Sequence, residues 1–533
     1  MGRKEAEIAV TENHGAICLK WNVGDGPKWK EITIRNGKLG KDFLGVWLLY
    51  HLSDLFNAMP LQQINAIIPK PLLEKHNKVF DRIFKLINNT NDAIETHENL
   101  KGVAKDWDRM LYWNVQEDMR YGSLFERLKR TLPDAICKNV KLGFDREKRK
   151  WVNSPPPMEI DELIEFIKEN KIGRMASVNH YFLEKYWDHY SVHILQLFDW
   201  MGIDYYIMEN DPPDMKPWGF PRRMFTGRGR TYLSNLHILT KDWDERYNNN
   251  GMHYIAIPQD YGSVSRQREL RDDYKVVVLS NSRWDGVQAM LRSIETIMRY
   301  MANPLTELTT WYMSMRRIFL NADELEYDRL AKISLLHNLF FMAAQWCKFE
   351  IVKNLNTDRT IEVYGDVGWK NVCPQYYMGS LNNAQIEELF AQDNILYLML
   401  NFSYSYLDAS GPVYDMIRRN VPWINVPPMA RTKIFGKLKF IEYTNYDELN
   451  ELVTDVRSAY RKALSGIRAY DYVLQCSADE VVRVLAGENN YKSEVFNNHL
   501  REHEWETNKN IDDYMNEREP FLRACYDMFK VKE

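Results

Sequence analysis

The stretch from Ile361 to Pro428 limits what this chain can fold into more than any other part of it. Short apolar runs (IEVY, ILYLM, WINV) are separated by a glycine turn (GDVG), a tyrosine-glycine segment (YYMGS) and two segments with helical spacing. The order reads strand, glycine turn, loop, helix, strand, polar loop, helix, strand. Strands that return through helices build a parallel sheet, and the loops at their carboxyl ends face a ligand cleft. This is the layout of a nucleotide-binding α/β half-domain.

A second set of the same kind precedes it. Glu159–Asn170 has the pattern of a short helix and Gly173–Val178 that of a buried strand. Tyr186–Met201 has helical spacing and stops at Gly202, and Ile203–Met208 resumes as a strand. Asn235–Thr240 and Tyr254–Pro258 are strand-like, and Lys275–Ser280 (KVVVLS) is a strong buried-strand pattern. The three prolines of Asn153–Met158 cannot propagate a helix or a central strand, which makes this segment a linker. Residues 287–350 read as helix broken at Asn303-Pro304, longer than a single crossover requires.

The predicted organisation is therefore an N-terminal α+β accessory region over 1–152 and a first α/β unit over 153–273. A second unit covers 274–470 with a helical insertion at about 287–350, and a helical tail covers 471–533. In the accessory region the spacing predicts strands at Ala16–Trp21 and Trp29–Arg35, and helices at Leu44–Asn57, Leu72–Asn88 and Gly122–Thr131.

Composition narrows the functional classes. A chain of 533 residues that is 45% hydrophobic can bury at least two cores, and a net charge of −4 does not point to general binding of nucleic acid. Six scattered cysteines without a CxxC pair argue for reduced thiols and against a disulfide framework or a zinc knuckle. The N-terminus MGRKEAEIAV has no apolar signal core, Gly2 lacks the Ser or Thr that follows a myristoylated glycine, and no apolar run approaches a membrane span. The expectation is a soluble, cytoplasmic protein.

Phosphate-loop, GxGxxG, HExxH and GxSxG patterns are absent, which removes the fingerprints of NTPases, dinucleotide dehydrogenases, zincins and α/β-hydrolases. His189 and His193 share a helix spacing but have no clear third metal ligand. Gly365 and Gly368 flank Asp366 after a strand, where a missing Cβ permits a tight turn and close approach to a ligand; a simple strand-capping turn is the alternative. Ser410-Gly411-Pro412 opens a helix, with unpaired amides and a dipole that favour a diphosphate.

Two consecutive α/β units with a cleft between them suit a donor in one half and an acceptor in the other. HILQLFDWMGIDYYIMENDPP, taken together with YGDVGW and YYMGSLNNAQIEELFAQDNILYLMLNFSYSYLDASGPVYDMIRRNVPWI, resembles bacterial glycosyltransferases of the GT-B class, and most of all the CgeB-like, spore-maturation type, over roughly residues 170–470. The resemblance implies two Rossmann-like domains facing a central cleft and transfer of a sugar from a nucleotide-sugar co-substrate to an acceptor hydroxyl. It implies no further cofactor and no metal. Tyr377 and Gly379 match the family position beside the nucleotide base. Many retaining members carry two glutamates eight positions apart at the late loop; here Asp408 and Asp415 stand in that stretch. Asp415 fits a ribose hydroxyl or, equally, plain complementation of a helix dipole.

Arg283 is the candidate cation for the departing phosphate, with an ordinary surface arginine as the alternative; Lys433 and Lys437 follow it. Inverting transfer needs a general base, for which Asp211 leads, with His180 and Asp260 behind it at other strand ends. The expected partners are the donor and a glycan, protein or small-molecule acceptor, with self-association through either terminal region. The alternatives are an inert nucleotide- or sugar-binding protein on the same scaffold and a two-Rossmann sugar-nucleotide epimerase.

Overall fold

The computed structural model describes residues 92–115, 122–140, 156–178, 194–209, 270–322, 326–402, 419–425, 443–457, 479–488 and 509–529, scattered single positions, and the backbone of short strands within 6–35, 144–151, 230–234 and 252–254. The chain opens on three antiparallel strands, β1 (Ala6–Asn13), β2 (Ala16–Val23) and β3 (Lys30–Arg35), in the order β1-β2-β3. The first of them adds to the two strands expected from sequence; it pairs with β2 from Ala6↔Val23 to Asn13↔Ala16.

The first α/β unit comprises β4 (Arg109–Val115), α1 (Gly122–Thr131), β5 (Ile136–Val140), α2 (Ile160–Asn170), β6 (Ile172–Val178), α3 (Ile194–Met201), β7 (Asp204–Glu209), β8 (Arg230–Ser234) and β9 (Met252–Tyr254). The six strands are parallel in the order β9-β8-β7-β6-β4-β5. Two of them, β4 and β5, precede Asn153, so the sheet crosses the segment that sequence reads as a linker. The physical reason lies in their side chains: Met110 and Tyr112 bury on one face, Leu111 and Trp113 on the other. A strand covered on both faces carries no polar alternation to betray it.

α2 and α3 cover one face of this sheet through Leu163, Ile167, Leu197 and Phe198. The opposite face is closed by Leu124 and Leu128 of α1 and by Val481, Val482, Val484 and Leu485 from near the end of the chain. Arg174 Nη1 donates to the Leu485 carbonyl at 3.3 Å, and Arg127 pairs with Asp479 at 3.1 Å. The segment 481–485 is thus part of the first unit's core.

The second unit runs through β10 (Lys275–Leu279), α4 (Trp284–Met298), α5 (Pro304–Asn321), α6 (Glu326–Lys353), β11 (Ile361–Tyr364), β12 (Tyr377–Gly379), α7 (Asn383–Phe390), β13 (Ile395–Met399), β14 (Trp423–Asn425) and α8 (Tyr446–Thr454). Its five strands are parallel in the order β12-β11-β10-β13-β14. Counted along the chain this is 3-2-1-4-5, in which successive connections lead away from β10 in opposite directions and leave a crevice at the carboxyl ends of β10 and β13. Sequence patterns set the helix starts: Asn303 caps α5 by accepting from Leu305 N–H at 3.1 Å, with Pro304 at its first position. Asn382 and Gln385 form a reciprocal capping box on α7. α9 (Glu519–Met528) returns to this unit, burying Phe521, Leu522 and Cys525 in the same core as α5 and α6.

Two α/β units with parallel sheets and many helices are consistent with a two-Rossmann-like layout. The segment at Tyr377–Gly379 departs from expectation, because it is an edge strand and not a loop. Its backbone is drawn into the ladder with β11, where Val363 N–H donates to Tyr376 O at 2.8 Å and Gly365 N–H to Gly379 O at 2.9 Å. A Cβ on Gly365 would stand 2.0 Å from the carbonyl oxygen of Ser280, so two neighbouring strand ends can approach only through a glycine. Gly365→Ala is predicted to destabilise the fold by about 1–3 kcal/mol, the range for forced overpacking. Urea unfolding checks this through a lowered midpoint with an unchanged slope.

Candidate functional site

The residues that follow β10 are Ser280, Asn281, Ser282 and Arg283, and they lead straight into α4. In many α/β folds this turn offers free amides to a phosphate. Here the turn is occupied from within. Asp366, just past β11, accepts from Ser282 N–H at 3.0 Å, Arg283 N–H at 3.2 Å and Gly368 N–H at 3.0 Å, and also from the Ser282 hydroxyl. Three of these four donors come from the turn after β10, so the one carboxylate binds the loop after β11 to it. A Cβ on Gly368 would meet Ser282 Oγ at 2.1 Å. The two glycines that sequence offers for close approach to a ligand therefore permit close approach of the chain to itself.

Arg283 adopts φ 49° and ψ 39°, a left-handed conformation that costs a non-glycine residue roughly 1–2 kcal/mol. It is exposed, and its guanidinium lies 4.4 Å from the centre of the Phe341 ring on α6. α6 has 28 residues, about 42 Å of helix, against five-residue strands of roughly 17 Å, so it extends well past the sheet. Phe341, Gln345 and Lys348 are spaced by four and three residues and share one helix face.

Lys348 lies at the crevice itself. Its Nζ donates to Ser280 Oγ at 3.0 Å, one residue beyond β10, and to Asn401 Oδ1 at 2.9 Å, two residues beyond β13. The side chain is buried, at 4% exposure, and pairs with no carboxylate among the described residues. Burial, and secondarily the charge of Arg283, pushes its amine down from 10.5 to about 7. Taking an ammonium out of water costs several kcal/mol unless an anion compensates it. Gln345 Oε1, one turn earlier, is buried with no hydrogen-bond partner among the described residues. Trp369 closes the floor by donating from Nε1 to Ser280 O at 2.6 Å, while Phe349 packs between the rings of Trp284 and Trp369.

Among the residues expected from sequence, Arg283 and Asp366 meet at this turn, the former beside the crevice and the latter clasping the turn. Gly365 and Gly379 lie one strand further out and are joined by a backbone hydrogen bond. Gly379 has φ 108° with open space around it. Tyr377 is half-buried and donates weakly to Gly365 O at 3.4 Å, and the Lys370 amine lies 5.8 Å from its ring centre. Asp211, His180, Asp260, Ser410, Gly411 and Asp415 lie outside the described residues, as do His189, His193, Asp408, Lys433 and Lys437.

Lys348 escapes a motif search, yet its sequence context carries a signal. Ala343, Ala344, Cys347, Phe349, Ile351 and Val352 are buried around it, so this part of α6 has no broad polar face to hold a lysine. Among the described residues no group of His, Cys, Asp and Glu is arranged to hold a metal ion, and no helix is long and apolar enough to cross a membrane. No protein-family profile matches the chain, and no curated protein matches it.

The depressed amine predicts a specific pH dependence. Between about pH 7 and pH 10.5 the unfolded chain holds the Lys348 proton and the folded chain does not. Stability must therefore rise with pH across that window, by up to about 1.4 kcal/mol per pH unit for this one group. Lys348→Met should lack that increment, so the difference between wild type and variant in urea unfolding should grow in favour of wild type from pH 7 to pH 9.5.

Proposed function

We propose that this chain is a glycosyltransferase of two-Rossmann form, of the CgeB-like GT-B kind its residues resemble, moving a sugar from a nucleotide-sugar donor to an acceptor hydroxyl. The observation that carries this reading is the pair of cationic side chains at the 3-2-1-4-5 switch point of the second sheet, one buried and one exposed, with no carboxylate on the buried one among the described residues. In such sheets ligands bind outside the carboxyl ends of the strands at this point. Cleavage of the bond between the anomeric carbon and the phosphate oxygen leaves the electron pair on the nucleoside diphosphate. Cations held in fixed positions, one of them buried, stabilise that charge without having to reorganise.

The diphosphate falls to Lys348 and Arg283 in this reading, because Asp366 already fills the turn before α4 and would repel a second anion there. The nucleoside extends toward Tyr377 and Gly379. The acceptor's proton is taken by a base from the first unit, with Asp211 first and His180 and Asp260 as the other candidates.

The test is a thermal-shift panel of nucleoside diphosphates and nucleotide sugars. A ligand present at 100 times its Kd contributes about 2.7 kcal/mol of stability. Stabilisation by at least one nucleotide sugar, diminished in Arg283→Ala, is expected. A folded protein that none of the panel stabilises would sink the reading. Stabilisation without release of nucleoside diphosphate in the presence of any acceptor would turn it toward the inert binding protein.

A further inference from the structure

Lys348, the one buried lysine among the described residues, asks what its charge is for. Its two partners, Ser280 Oγ and Asn401 Oδ1, are neutral acceptors that leave one of three N–H donors unassigned. A structural role would be met as well by an apolar side chain, which fits a packed interior without the cost of desolvation. The amine instead bridges the ends of the two strands between which the sheet reverses direction.

We propose that Lys348 is a proton-coupled receptor for an oxyanion of the phosphate class, taking up a proton from solvent as the anion arrives and losing it when the anion leaves. The proposal deepens the donor-site reading given above, on which it rests only for the identity of the natural ligand. The amine's surroundings explain why binding and protonation are coupled. From the turn after β10, Arg283 opposes a second positive charge. Asp366 has its carboxylate bound to amides and the Ser282 hydroxyl, so it does not serve as counter-ion. On α6 itself, Cys347 is held neutral by burial, and Glu350 accepts from Lys353 at 3.1 Å. Asn401, from the end of β13, brings no charge. With an amine at about 7, the free site is mostly neutral at pH 8, and a bound anion supplies the counter-charge that makes the ammonium stable.

The consequence is a site that binds less tightly as pH rises. Above pH 7 the affinity should fall about tenfold per pH unit through this one linked proton. Arg283, which stays charged throughout, contributes affinity without pH dependence.

Calorimetry with inorganic pyrophosphate at pH 8, in buffers of different ionisation enthalpy, tests this on the full chain. Pyrophosphate's own protonation change is common to all variants, so differences between proteins report on the amine. Wild type should take up close to one proton more than Lys348→Met, whose apolar side chain suits the buried position, and Lys348→Arg should bind with no such extra uptake. Arg283→Ala should bind more weakly while keeping the uptake. Equal proton stoichiometry in wild type and Lys348→Met, or no pyrophosphate binding by folded wild type, would overturn the proposal. Proton-linked pyrophosphate binding in a protein that no nucleotide sugar stabilises would leave this site standing and remove the glycosyltransferase reading. Nucleotide-sugar binding indifferent to Lys348→Met would do the reverse.

Discussion

A lysine buried with no carboxylate on its amine among the described residues is among the costlier things a fold can contain, and the proposed site turns on one. Lys348 is kept where it is by the strand order of the second sheet. Because β10 has β11 on one side and β13 on the other, the chain leaves its carboxyl edge in two directions, the arrangement that in such sheets leaves a gap between strand ends. Ser280 and Asn401 stand at the two sides of that gap, and the lysine spans it from a helix long enough to reach past the sheet. Depression of the amine is the expected response: a buried base sheds its proton before it tolerates an uncompensated charge.

Asp366 determines the rest of the arrangement. By accepting four hydrogen bonds from the two loops at β10 and β11 it fixes the backbone from which Arg283 projects, and it occupies the amides of the turn that precedes α4. In the proposed site, anion recognition passes from backbone amides to side chains. Side-chain cations differ from amides in one functional respect, since a lysine in this environment titrates near neutrality whereas an amide does not.

Much of the scaffold was legible in the amino-acid sequence. KVVVLS and ILYLM announce buried strands, the Asn303-Pro304 break marks a helix start, and Gly202 ends a helix with φ 83°. Arg283 was legible too, as a cation after a central strand. What was not legible depends on contacts remote in sequence. β4 belongs to the first sheet because both its faces are covered, by helices and by a segment more than three hundred residues later. Gly365 and Gly368 look like ligand glycines until Ser280 and Ser282 are placed against them. Lys348 looks like any helical lysine until Ser280 and Asn401, just past β10 and β13, are placed against its amine.

The most direct measurement is a crystal structure with a nucleoside diphosphate or nucleotide sugar bound. The account predicts a phosphate oxygen within hydrogen-bond distance of Lys348 Nζ, beside Ser280 and Asn401, with the clasp of Asp366 on the Ser282 and Arg283 amides intact. A phosphate seated on the amides at the start of α4 with Asp366 displaced, or one bound away from Lys348, would contradict it.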